Sequence, residues 1–270
     1  MSDQVMDMFW RMPPVARTVS ATALGLSLAV HMGLLSGYHV IYHTYYIFKI
    51  PPELWRVPTS FLLTGGGLGL IFDTYFLYRY LNELEVSNRR FPRREDLIWY
   101  LICVCAGILA LNEIAWRYTP LIDGPYFTFL PAFLIALCYT SHQDQRGQKA
   151  MIWFFTVPAQ LVPYCMILMS FLSSGGATSI PLQIGGLLVA HLYDFLTRLW
   201  PEFGGGRNLL PTPRFLTHLV NAGPLLRGRA RAGSGASRPV GASTGRSTGF
   251  NTGDVLPESW KSRGPGRRLG

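Results

Sequence analysis

The sequence predicts an all-α membrane protein, a bundle of six transmembrane helices followed by a disordered basic C-terminal tail. Three observations predict it. Of 270 residues, 49% are hydrophobic and only 14% are charged. The apolar residues gather in six runs, most of them near the roughly twenty residues a helix needs to cross hydrocarbon. The charge is also unevenly placed: the net is +9, and from Pro201 onward eleven Lys/Arg face only Glu202, Asp254 and Glu258, so the tail carries +8 of it. These cations have no interleaved aromatics and follow a membrane domain. A cytosolic flank beside a lipid bilayer is therefore the expected setting, and nucleic acid is not an expected partner.

In order, the spans are expected at Val15 to Leu35, Thr59 to Tyr80, Leu97 to Trp116, Tyr126 to Thr140, Met151 to Leu172 and Ile180 to Trp200. The fourth is short and holds Pro131. The fifth holds Pro158 and Pro163, each of which removes a backbone donor, so both are expected to be irregular. Basic residues gather on one side, at Arg11, Arg17, Arg79, Arg89, Arg90, Arg93, Arg94, Arg146, Lys149 and the tail; the other side has Lys49, Arg56 and Arg117. Both termini are thus expected in the cytosol. The loop from Ser36 to Pro58 lies opposite, rich enough in aromatics to rest in the interface. No removable signal peptide is expected at the N-terminus. Residues 1–222 form the expected membrane domain, and 223–270, rich in Gly, Ser and Arg, the disordered tail.

The last run is expected to be the central helix. Gly186 and Ala190, four apart, leave one face nearly bare for a neighbouring backbone, with His191 beside it. An ionisable group at membrane depth either points into a wet groove or hydrogen-bonds a neighbouring helix, and both readings stay open. Asp194 and Arg198 have the spacing and order of a helical ion pair. Cys103, Cys105, Cys138 and Cys165 lie in apolar runs without metal or redox spacing and are expected to be packing residues. His39 and His43 lack a third ligand, so they are expected to be interfacial, and no metal is expected. Asp73, Gln160 and His191 are expected to admit water or to thin the lipid.

Several stretches together resemble the derlins, rhomboid-like membrane proteins of the endoplasmic reticulum. They are Pro13-Pro14-Val15-Ala16-Arg17, Trp55-Arg56 with Thr59 and Phe61, Tyr75-Phe76-Leu77-Tyr78-Arg79-Tyr80, Leu84-Glu85, Gly186 with His191-Leu192-Tyr193, and Gly205-Gly206-Arg207-Asn208 with Thr212-Pro213. Ala190 departs from the family's usual second glycine. The resemblance implies a rhomboid-like six-helix fold and a role in quality control at the endoplasmic reticulum, linked to the unfolded protein response. In that role the protein would bind misfolded clients and help return them to the cytosol for degradation, with a ubiquitin ligase complex as partner and no cofactor.

Rhomboid proteases carry a G-x-S-G serine on the fourth span and a histidine on the sixth. His191 matches the histidine, but Tyr126 to Thr140 contains no serine and G-x-S-G occurs nowhere, so no catalytic residue is expected. The G-x-S-x-G strings Gly241 to Gly245 and Gly245 to Gly249 fall in the low-complexity tail without a supporting strand or helix. Trp55 is expected to anchor the long loop while Arg56 hydrogen-bonds polar groups beneath it. The C-terminus, with Trp260, Gly264, Gly266, Arg268 and Leu269, resembles the derlin segment that recruits an AAA ATPase of the Cdc48 type, although Arg263 stands where an aromatic is usual. It equally fits the end of a Gly/Arg-rich tail. The alternatives are an active intramembrane serine-type protease and a passive adaptor acting through its tail.

Overall fold

Helix dominates the computed structural model, which describes residues 2–87, 90–118, 125–145, 147–152, 155–172, 176–206, 208–218 and 220. Arg89, Arg146, Arg207 and the tail residues Trp260, Gly264, Gly266, Arg268 and Leu269 lie outside the described residues.

Helix α1, Ser2–Arg11, is an amphipathic helix that the search for long apolar runs passed over, with Met6 and Trp10 exposed. Helix α2, Pro14–His31, opens on prolines, whose missing N–H costs nothing in a first turn. Its Val15 and Ala16 amides donate to the Glu85 carboxylate at 3.2 and 2.9 Å. Ala16, Ser20, Ala23 and Ser27, spaced four, three and four apart, form its buried face. These small side chains let α5, Leu68–Val86, pack closely on it. Between them run the short helices α3, Thr44–Phe48, and α4, Arg56–Ser60.

Helix α5 begins nine residues after the expected Thr59. Gly65-Gly66-Gly67 intervenes, and Gly67 has φ of 62°, a left-handed conformation that ends helical propagation cheaply only at glycine. Helix α6 is Arg94–Tyr118 and α7 is Leu130–His142. The expected fifth span divides. Its first half is an antiparallel hairpin, β1 Lys149–Ile152 and β2 Phe155–Pro158, with Lys149 opposite Pro158. Its second half is α8, Val162–Leu172. Pro158 ends the strand, and Pro163 sits at the second position of α8, where no hydrogen bond is lost; a continuous helix through both prolines would forfeit two backbone donors. Helix α9, Ile180–Asp194, continues through one π-helical stretch, Phe195–Leu199, into α10, Trp200–Phe203.

Two helical stretches, Arg94–Tyr118 and Ile180–Phe203, are long and apolar enough to cross a membrane. The centre of the bundle is α7, not the sixth run. Every α7 residue but Pro131 is buried, and α5, α6, α8 and α9 all pack against it. On α9, Leu188 and Leu192 are more than half exposed. The physical reason is that α7 is apolar around its whole circumference, and such a helix is stable only when covered on all sides.

Candidate functional site

At one end of the bundle, Arg56 is the largest fully buried side chain, 1% exposed. Helix α4 turns it under the long loop. Its Nε donates to Glu53 Oε2 at 2.5 Å and its Nη1 to the Ile41 carbonyl at 3.1 Å and to the Tyr38 carbonyl. The guanidinium carbon lies 4.4 Å from the Tyr46 ring centroid. One cation thus gathers three separated pieces of loop, and charged-group hydrogen bonds of this kind are the strong ones. Trp55, the preceding residue, is 54% exposed and points its ring away from this knot. Thr59 Oγ1 donates to Val40 O at 2.9 Å, tying α4 to the same loop. His43 stacks on Phe127 at 5.9 Å, and His39 packs edge-on to Tyr38.

Between α7 and α9 the backbones nearly touch. A Cβ at Gly186 would lie 2.8 Å from Ala132 Cα and overlap its carbonyl. Ala190, one turn on, is buried on the same face. His191 instead is exposed, its ring 4.1 Å from that of Tyr139. Asp73 accepts from the Gly65 amide at 3.1 Å, and Gln160 is exposed. Gln183 ties α9 to α8 through Ser170 Oγ at 2.9 Å.

The opposite end holds a network of four charges. Arg90 Nε donates to Asp144 at 2.5 Å and Arg90 Nη1 to Asp194 at 2.8 Å, while Arg198 Nη1 reaches Asp144 at 3.3 Å. Asp194 and Arg198 therefore do not pair with each other. The π-helical stretch that begins at Phe195 breaks the i to i+4 register the pairing needed, and Arg198 turns to the loop beyond α7. Burial alone would push the Asp144 carboxyl up, but hydrogen bonds and charge from Arg90 and Arg198 outweigh it and hold the group below its ordinary 3.8. A second connection, Thr212 Oγ1 to Asp96 Oδ1 at 2.7 Å, folds the segment after α10 back onto the start of α6.

Ser141 and His142, just beyond the expected fourth span, escaped the serine search. Ser141 Oγ and His142 Nδ1 are 2.9 Å apart, and both also lie within 3.0 Å of the Cys138 carbonyl. Both residues are buried at 3% exposure, so this pair is presented to no substrate. Among the described residues no group of three His, Cys, Asp or Glu is placed to hold a metal.

Residues 12–214 match the model of the Der1-like family. The chain is 25% identical over 239 residues to the probable derlin-1 homolog of Dictyostelium discoideum, covering 88% of this chain and 94% of that one. It is 28% identical over 222 residues to Derlin-1 of Homo sapiens, covering 80% and 82%, and 25% identical over 234 residues to Derlin-1 of Arabidopsis thaliana, covering 84% and 83%. With a family model spanning most of its length, this chain belongs to the Der1-like family.

Proposed function

We propose that this protein is a proteolytically inactive, rhomboid-like member of the family in the endoplasmic reticulum membrane, with six membrane helices and both termini in the cytosol. It binds misfolded polypeptides and aids their return to the cytosol for degradation. Its membrane domain, residues 1–222, does the binding, and the tail, 223–270, recruits an AAA ATPase through Trp260, Gly264, Gly266, Arg268 and Leu269. A ubiquitin ligase complex of the same membrane completes the pathway. Family membership supports the setting. The observation that carries the non-catalytic part is the Tyr139 ring packed 4.1 Å from His191: the sixth-helix histidine faces a phenol, not a serine. A general base without a nucleophile in reach performs no acyl transfer.

The polar groups on exposed faces, Gln160 and His191, support a groove that accepts a client at a depth where lipid alone would reject it. Photocrosslinking amino acids at positions 55 and 191, in native membranes holding a stalled misfolded client, test this directly. Crosslinks to the client from both positions are expected; crosslinks from neither overturn client binding. Cleavage of a membrane substrate by the purified protein would establish the enzyme instead, and retrotranslocation that survives deletion of residues 223–270 would exclude the passive adaptor.

A further inference from the structure

A cleft of about 470 Å³ lies where the end of α1, the first turn of α2, the end of α5 and the start of α6 meet, lined by Trp10, Arg11, Glu85, Val86, Arg93, Arg94 and apolar neighbours. We propose that it binds the phosphate-bearing headgroup of an anionic phospholipid, with Arg11, Arg93 and Arg94 on the phosphate and Trp10 and Val86 alongside the glycerol and upper acyl chains.

Charge is the first argument. Arg11, Arg93 and Arg94 are all exposed, and none forms an ion pair among the described residues. The acids around them are committed elsewhere. Both oxygens of Glu85, the one carboxylate in the lining, accept from the Val15 and Ala16 amides, so its charge is opposed by the positive end of the α2 dipole. Asp96 accepts from Thr212, and Glu95 is buried. Three cations therefore converge on a concave surface whose carboxylate is already satisfied.

Shape and depth are the second argument. Arg17 donates to the Phe9 and Trp10 carbonyls at 3.3 and 3.0 Å and lies 4.5 Å from the Trp10 ring, which fixes the end of α1 as one wall before any ligand arrives. A site ordered in advance spends less of its binding energy on ordering. Trp10 and Val86 are 53% and 66% exposed, and an indole beside arginines is the usual furniture of a membrane interface. Arg94 and Leu97, the first buried apolar residue of α6, are about one helical turn apart, so a phosphate on Arg94 would sit immediately above the hydrocarbon. Inorganic phosphate would use the same cations but leave Trp10 and Val86 uncovered. The site rests on the reading above only for the presence of a bilayer, not for any handling of clients.

The test is native mass spectrometry of the full-length protein in uncharged detergent with added phosphatidylinositol or phosphatidylcholine, without client, so its outcome is independent of retrotranslocation. Capture of phosphatidylinositol in preference to phosphatidylcholine is expected. The triple variant Arg11→Gln, Arg93→Gln, Arg94→Gln should weaken it roughly a hundredfold, since each cation near a charged headgroup is worth about fivefold. Arg11→Gln alone, with about a fivefold loss, serves if the triple variant does not accumulate. Arg229→Gln, Arg231→Gln, Arg238→Gln, which removes the same charge from the tail, should change nothing. Trp10→Ala should weaken capture of the lipid but not of inorganic phosphate. Undiminished lipid capture by the arginine variants, an equal loss in the tail variant, or displacement of the lipid by equimolar inorganic phosphate overturns the proposal.

Discussion

Gly186 of α9 stands against Ala132 of α7 so closely that no side chain fits between them: a Cβ would be 2.7 Å from the Ala132 carbonyl carbon. The contact joins the central helix to one of the two helices long enough to cross a membrane, and the listener to any change there is backbone, which cannot rotate out of the way. Gly186→Ala is therefore expected to destabilise the bundle by about 1–3 kcal/mol, the usual cost of overpacking. Gly25→Ala, in α2 where nothing lies within 4 Å of the added methyl, should be neutral or slightly stabilising. Unfolding midpoints of the two variants in detergent check this, and equal midpoints would mean that α7 and α9 separate readily.

Arg56 and Trp55 are adjacent but should behave oppositely. Removing Arg56 leaves Glu53 and two backbone carbonyls unpaired in a buried place, so Arg56→Ala should cost about 3–5 kcal/mol and expose the loop to proteases. Arg56→Lys should not restore it, because an ammonium cannot reproduce the fork that reaches Glu53 and two carbonyls at once. Trp55→Ala, at an exposed site, should leave stability within about 0.5 kcal/mol of the parent. A stable Trp55→Ala protein that clears a misfolded client slowly would place the client at that ring; normal clearance would remove Trp55 from the binding surface.

How much of this was readable in advance divides along physical lines. Spans built on local composition were legible: α2, α6 and the α9 to α10 stretch follow their apolar runs, and the prolines of the fifth run announced its irregularity. What depended on distant partners was not. Nothing near Arg56 in sequence marks the Tyr38 and Ile41 carbonyls as its acceptors, because a backbone carbonyl carries no residue signature. Arg90 meets Asp144 across 54 positions, and that contact takes Asp144 and Arg198 out of any local pattern. The uniform apolarity of Leu130–His142 was visible, but its shortness argued against giving it the centre; burial on every side was the correct inference from that composition. Helix α1 was missed because ten residues with two acids do not look like a span.

The charge network at the α7 and α9 ends should make stability pH-dependent in one direction. The Asp144 carboxyl is held below its unfolded value, so its contribution is fully present above about pH 4 and is lost as the pH falls through the depressed value. Arg90 and Arg198 stay cationic throughout. The wild-type unfolding midpoint should thus drop on acidification below about pH 4 more steeply than that of Asp144→Asn, which starts lower at neutral pH and has less to lose. Parallel acid profiles for the two proteins would show that Arg90 and Arg198 do not depend on this carboxylate.

His191 should be dispensable for covalent chemistry. Its ring lies 4.1 Å from Tyr139, and among the described residues it makes no hydrogen bond to a hydroxyl or thiol, whereas a base that activates a nucleophile needs one within about 2.6–3.2 Å, directly or through one water. The nearest serine and histidine that do meet, Ser141 and His142, share the Cys138 carbonyl inside the core, where no substrate carbonyl has room to approach. His191→Gln keeps a polar side chain of similar reach and should preserve both expression and client clearance, and a serine-directed fluorophosphonate should leave the protein unlabelled. If His191→Gln abolishes clearance while His191→Asn and the unfolding midpoint remain normal, the ring is required for how the client is held. Labelling of Ser141 that disappears in His142→Gln would go further and show that the core opens to expose a working nucleophile.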